Sequence, residues 1–199
     1  MRYGMDLDGV IADFSSRVVD AANFLWPGKI APGFQPTVWD YGDVLTKDEW
    51  QRVWARILDT PYMWEDEPPM PGCDELVDYI RRRAIQFKEP DEIFFITARA
   101  KTKGDSPLVQ SSHWLYSRGL WPREGFSTVI PVGEAKHKAD LFRGLGLKYH
   151  LDDYAPTVEE LNKIEGMHAF VLDQPWNQYA TELPRVYSVT QYLDVIRDL

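Results

Sequence analysis

Short apolar runs alternate along this chain with stretches in which apolar residues recur every three or four positions. The runs at 2–5, 93–96, 128–132, 149–151, 168–172 and 185–189 are mostly continuous rather than alternating, as strands covered on both faces should be. Between them the spacing predicts helices over 73–83, with Leu76, Val77 and Ile80 on one face, and over 108–118, after a cap at Ser106. Further helices are expected over 136–143, over 157–164 with Glu159 and Glu160 near the positive end of the helix dipole, and over 191–198 after Thr190. This rhythm of strand and helix predicts an α/β fold with a mainly parallel sheet.

One segment breaks the rhythm. Residues 14–69 contain no convincing strand, carry Trp26, Trp39, Trp50, Trp54 and Trp64, and are interrupted by Pro27, Pro32, Pro36 and Pro61. They read as a small helical cap inserted after the first strand, with 1–13 and 70–199 forming the core. Pro68, Pro69, Pro71 and Gly72 make the return hinge, because their backbone angles are restricted or unusual.

Composition adds limits. The 199 residues suffice for one substantial core plus a small lobe, and no apolar run approaches the roughly 20 residues that cross a bilayer. No membrane association is expected, nor secretion, since the first residues form a strand-like segment rather than a leader. Cys73 is the only cysteine, which precludes an internal disulfide and suits a cytoplasmic protein. A formal charge of −9 argues against long nucleic acid as a partner, though it leaves room for one small phosphate ester held by a metal and a few cations. The four histidines show no zinc-ligand spacing.

The chemistry sits at the strand ends. In Met5-Asp6-Leu7-Asp8-Gly9-Val10 two carboxylates stand where an apolar strand gives way to a turn. Buried carboxylates need partners, and at the C-terminal edge of a parallel sheet a divalent metal is a natural one. Tyr149-His150-Leu151-Asp152-Asp153 delivers a second acidic pair in the same way, so Asp6, Asp8, Asp152 and Asp153 are candidate ligands for Mg2+. A third strand end, Phe94-Phe95-Ile96-Thr97-Ala98-Arg99, offers the Thr97 hydroxyl and the Ala98 amide to a phosphate. Lys138 lies one helix before the second acidic pair and would balance the negative charge, with Lys136 a close rival.

In this order, Asp-x-Asp-Gly-Val, a strand-end Thr, a Lys and Asp-Asp resemble the four motifs of the haloacid-dehalogenase-like (HAD) phosphatase superfamily. The first motif, from Asp6 to Phe14, is similar more narrowly to that of the 5'(3')-deoxyribonucleotidases, and Asp173-Gln174-Pro175-Trp176-Asn177 is similar to a segment of bacterial and phage relatives. The resemblance implies a Rossmann-like three-layer sandwich and Mg2+-dependent hydrolysis of a phosphomonoester. It implies Asp6 as nucleophile, Asp8 as general acid and base, and Thr97, Ala98 and Lys138 at the phosphate. Arg99 stands where animal relatives have a different pattern, and either touches phosphate or anchors its loop.

A cap rich in flat side chains suits a nucleoside monophosphate, with Phe14, Trp39 and Trp64 as candidate stacking residues beside Tyr41. Trp50 and Trp54, at i, i+4 spacing, are expected in the cap's own core. A sugar phosphate or other small ester is the alternative substrate, and an idle phosphate-binding regulator the alternative class. The state of assembly is left open, a homodimer included.

Overall fold

In the computed structural model, which describes residues 2–86, 92–120 and 127–198, six strands form one parallel sheet. They are β1 (Arg2–Met5), β2 (Glu92–Thr97), β3 (Ser127–Pro131), β4 (Tyr149–Asp152), β5 (His168–Leu172) and β6 (Arg185–Val186), in the spatial order β3-β2-β1-β4-β5-β6. Seven α-helices lie among the described residues: α1 (Phe14–Leu25), α2 (Lys47–Leu58), α3 (Cys73–Gln86), α4 (Pro107–Ser117), α5 (Lys138–Leu145), α6 (Ala155–Leu161) and α7 (Val189–Asp198). The architecture is the expected three-layer α/β sandwich. One hydrophobic cluster joins the sheet to α3, α4 and α7 through residues such as Met5, Leu76, Phe95, Trp114 and Tyr192. Another joins the opposite face to α5 and α6 through Ile96, Phe142, Val158 and Val171. Because both faces are covered, the strands read as continuous apolar runs.

Gly4 shows how closely these layers approach. A Cβ there would lie 2.7 Å from His150 Nδ1 and 2.8 Å from Phe142, so this strand position has no room for a side chain. Phe142 meets the His150 ring edge-on at 4.4 Å between centroids, closing the space under the strand tips.

Several boundaries differ from the sequence pattern. The run at 185–189 is a strand only for Arg185 and Val186, and α7 already starts at Val189, two residues before its expected beginning. The stretch expected as one helix over 136–143 begins as a single 3-10 turn, Ala135–His137, which hands over to α5 at Lys138. Helix α6 starts at Ala155 and takes Pro156 into its first turn, where the missing proline N–H removes no intrahelical bond. The cap of α4 is as expected: Ser106 accepts from the Val109 N–H, and Pro107 opens the helix.

Helices α1 and α2 come from the segment between β1 and α3. Asp13 caps α1 by accepting from Ser16 N at 3.1 Å, and Thr46 and Glu49 form a capping box on α2. A separate hydrophobic cluster is drawn wholly from residues between Phe14 and Trp64. The chain leaves and returns along a short ladder: Asp13 N donates to Pro68 O at 2.8 Å, Met70 N to Ile11 O at 2.8 Å, and Ala12 bridges Pro69. No described helix is long and apolar enough to cross a membrane.

Candidate active site

The sheet register brings the two acidic pairs together. Met5 pairs with Leu151, and Asp6 N donates to Leu151 O at 2.9 Å, so Asp6 and Asp152 leave adjacent strands side by side. Lys138, the first residue of α5, is buried against both: its Nζ lies 2.5 Å from Asp6 Oδ2 and 2.7 Å from Asp152 Oδ2. Lys136, by contrast, is exposed and pairs with Glu134. The 3-10 turn decides between the two lysines by turning Lys136 outward before α5 begins.

Three contacts in all constrain the geometry of Asp152. His150 Nε2 lies 3.0 Å from its Oδ2, and Tyr154 N donates to its Oδ1 at 2.9 Å, while Lys138 completes the set. Burial pushes the Asp152 carboxyl up, but Lys138 and His150 outweigh that and hold it at about 2. At Asp153 the help from Lys138 and Trp176 is too small to offset burial. Burial drives its pKa well above the usual carboxylate range, with Asp152 and Asp6 adding to the rise, and Trp176 Nε1 donates to its Oδ2 at 2.9 Å. Asp6 is raised to about 7, first by burial and then by Asp152 and Asp8, against the pull of Lys138.

One oxygen from each of Asp6, Asp152 and Asp153 lies within 4.8 Å of the others. Three buried carboxylates face one buried ammonium, and hard oxygen donors carrying an excess of negative charge fit a divalent cation. Gly9 leaves the room for this grouping: at a φ of +72°, a Cβ there would lie 2.2 Å from Asp153 Oδ2. Gln174 Nε2 ties the same turn down by donating to Gly9 O at 2.9 Å.

Asp8 is held apart from this cluster. Its Oδ2 accepts from Thr97 Oγ1 at 2.9 Å and from Arg99 Nε at 3.1 Å, and its Oδ1 accepts from Arg99 Nη2 at 2.7 Å. The Asp8 side chain is not among the grouped carboxylate oxygens, and the Thr97 hydroxyl is directed at Asp8, its residue being fully buried. The reason is Arg99, whose buried guanidinium needs carboxylate partners and draws Asp8 toward β2. Arg99 anchors Asp8 and its own loop.

A cavity of about 270 Å³ opens on the cluster. It is lined by Asp6, Asp8, Gly9, Ala98, Lys138 and Asp153, and also by the rings of Phe14, Trp39, Tyr41, Trp54 and Trp64. Phe14 and Trp39 stack with centroids 6.1 Å apart and planes at 16°, and Phe14 is 6.0 Å from Trp64. Trp64 is fixed by its Nε1, which donates to Ala100 O at 2.8 Å.

Most of the expected residues therefore meet around one space, while Asp152 and Thr97 stand behind its wall. Trp54 was expected only in the cap core; it stacks on Trp50 at 6.2 Å and also faces the cavity. Helical spacing cannot reveal a ring that serves both. Tyr154 and Trp176 also line the cavity, and Glu67 lies buried against Arg99, none of them selected from the sequence. For Trp176 a signal existed in the segment from Asp173 to Asn177; for Glu67, which stands just before Pro68 and Pro69, there was none. His150, one of the four histidines without zinc-ligand spacing, is buried on Asp152, and its pKa is lowered by burial despite that neighbour.

No family model matches the chain. A Bacillus cereus protein described as "Putative nucleotidase" is 23% identical over 201 residues, covering 99% of this chain and 98% of that one. A haloacid-dehalogenase-like family hydrolase from Streptococcus pneumoniae superposes with a TM-score of 0.58 at 13% identity, over 99% of this chain and 97% of that chain. The L-2-haloacid dehalogenase of Xanthobacter autotrophicus, with chloropropionic acid covalently bound, gives 0.57 at 12%, over 100% and 98%. The fold is that of the HAD hydrolases. Along its whole length the chain also resembles a protein described as a nucleotidase.

Proposed function

We propose that the protein is a Mg2+-dependent phosphomonoester hydrolase acting on nucleoside monophosphates, with residues 14–69 as a substrate-selecting cap. The observation that carries this reading is that one cavity is lined both by the Asp6–Lys138–Asp153 cluster and by a group of aromatic rings, so that we assign the first part to phosphate and the second to the base. Stacking on such rings contributes about 1–3 kcal/mol per base.

Asp6 attacks phosphorus in line, forming an aspartyl-phosphate as the ester P–O bond breaks. Asp8 protonates the departing oxygen, then accepts a proton from the water that attacks phosphorus and releases Asp6. Lys138 keeps Asp6 oriented and offsets the phosphate charge beside the Ala98 amide, while Thr97 holds Asp8. Asp6, Asp153 and Asp152, with the Asp8 backbone carbonyl, would hold Mg2+, which supplies the positive charge that lets a carboxylate approach a phosphate dianion. The buried Cys73 thiol, pushed up to about 11 mainly by burial, stays protonated and inert, in keeping with a cytoplasmic setting.

Steady-state kinetics with Mg2+ across deoxy- and ribonucleoside monophosphates, sugar phosphates and a chromogenic phosphate ester test the proposal. Nucleotides should give the highest kcat/KM. A wide preference for sugar phosphates would sink the nucleotide assignment and keep the phosphatase; no turnover of any ester by wild type would remove both.

A further inference from the structure

Arg99 has an unusual place for a cation. Its side chain is fully buried, with Nη1 donating to Trp64 O at 3.3 Å and Ser111 Oγ at 3.1 Å, and its plane lies 5.1 Å from the Trp64 ring. Nε and Nη2 grip Asp8, and the same Nη2 also bonds Glu67 Oε2. Glu67 is itself 0% exposed, and its Oε1 has no hydrogen-bond partner. Burial raises its pKa well above the usual carboxylate range, with Arg99 opposing the rise.

A carboxylate in such a place is expensive, and a neutral side chain of similar shape would pack there at lower cost. Glu67 also stands in the hinge: the next residue, Pro68, accepts from Asp13 N, and Glu67 O accepts from Trp114 Nε1 at 2.8 Å. The guanidinium is thus fixed on one side by the segment returning from the insert, and on the other it fixes Asp8. Bidentate Arg–carboxylate contacts set direction as well as distance.

We propose that Glu67 and Arg99 are positioning residues for proton transfer: Glu67 locks the Arg99 fork, and the fork aims the Asp8 carboxyl at the leaving-group oxygen. The hinge position of Glu67 ties the aim of Asp8 to the placement of the insert and its Trp64 wall. This rests on the phosphatase reading, with Asp8 as the group that delivers the proton while the ester P–O bond breaks and the Asp6–P bond forms.

The test compares two substrates that differ in their need for that proton, a nucleoside monophosphate with an alkoxide leaving group and an aryl phosphate whose phenolate leaves unaided. In Glu67→Gln and Arg99→Lys, kcat for the nucleotide should fall about 10- to 100-fold, within the range general-acid catalysis contributes. KM for the nucleotide and the first-turnover rate of phenolate release from the aryl ester, which ends at the aspartyl-phosphate before Asp8 activates water, should stay within about threefold, the limit set by leaving the nucleophile intact. Parallel losses on both substrates would mean a structural role only, and unchanged kcat on both would remove the role altogether; either result overturns the proposal. If Glu67→Gln does not fold by thermal unfolding, Ser111→Ala loosens the same fork through Nη1 and is judged by the same split. Wild type inactive on both esters would instead overturn the phosphatase reading beneath it.

Discussion

The strand-end cluster and the aromatic insert use burial in opposite ways. At the strand ends, Asp6, Asp152, Asp153 and Lys138 are charged groups taken out of water, each restrained by short directional bonds. In the insert, Phe14, Trp39, Trp50, Trp54 and Trp64 are rings whose contacts tolerate a range of angles, from 12° to 74° across the aromatic pairs there. Charges held this way can perform one reaction on one geometry, whereas rings can accept many partners. The difference suggests that chemistry and selectivity are separable, and substitution should be able to change one without the other.

The largest effect should come from Asp6→Asn, which removes the proposed nucleophile and should lower kcat by about 10⁴-fold or more on every ester, nucleotide or not. Single-turnover assays would check it, and residual activity near wild type would assign the attack elsewhere. Lys138→Met should follow, with a loss of about 10²- to 10³-fold, the usual scale for a buried cation at a developing charge. Both losses should be blind to the base.

Selectivity should break on the other side. Trp39→Ala should raise KM for a nucleoside monophosphate about 5- to 150-fold, the equivalent of one lost stack, and leave turnover of a chromogenic phosphate nearly unchanged. Trp50→Ala sharpens the contrast. Trp50 stacks on Tyr41 and Trp54 outside the cavity, so its loss should lower Tm by thermal unfolding without altering substrate preference.

The smallest effect is electrostatic. Asp6 is raised from 3.8 to about 7, so its proton is favoured by the folded state. Its contribution to stability is therefore present below the unfolded value and is lost as pH climbs through about 7. A bound divalent cation should offset that loss. Added Mg2+ should raise Tm at pH 7.5 clearly more than at pH 5, and equal shifts at both would separate cation binding from these carboxylates.

How much of this was legible in the sequence depends on the range of the interaction. Asp6, Asp8, Asp152 and Asp153 could be read because each pair follows an apolar run, and strand ends of a parallel sheet share one edge. Lys138 against Lys136 could not be settled from spacing, since the answer lay in a 3-10 turn that shifts the helical phase. The hydrogen bond from Thr97 to Asp8 could not be read from the strand end, because the neighbouring Arg99 draws Asp8 across the gap between β1 and β2. The stretch at 185–189 lost its strand to the early start of α7, where packing of Val189 and Tyr192 into the core overrides local preference.

By itself the sequence determined the alternation of elements, the parallel sheet and the acidic residues at the strand tips. These follow from periodicity and from local backbone limits, which act over a few residues. Only the tertiary structure decided which carboxylate oxygens gather within 4.8 Å of one another, which lysine pairs with them, and that Glu67 reaches Asp8 through Arg99. Those outcomes depend on burial and on charge pairing between residues far apart in the chain, and a one-dimensional pattern carries no measure of either.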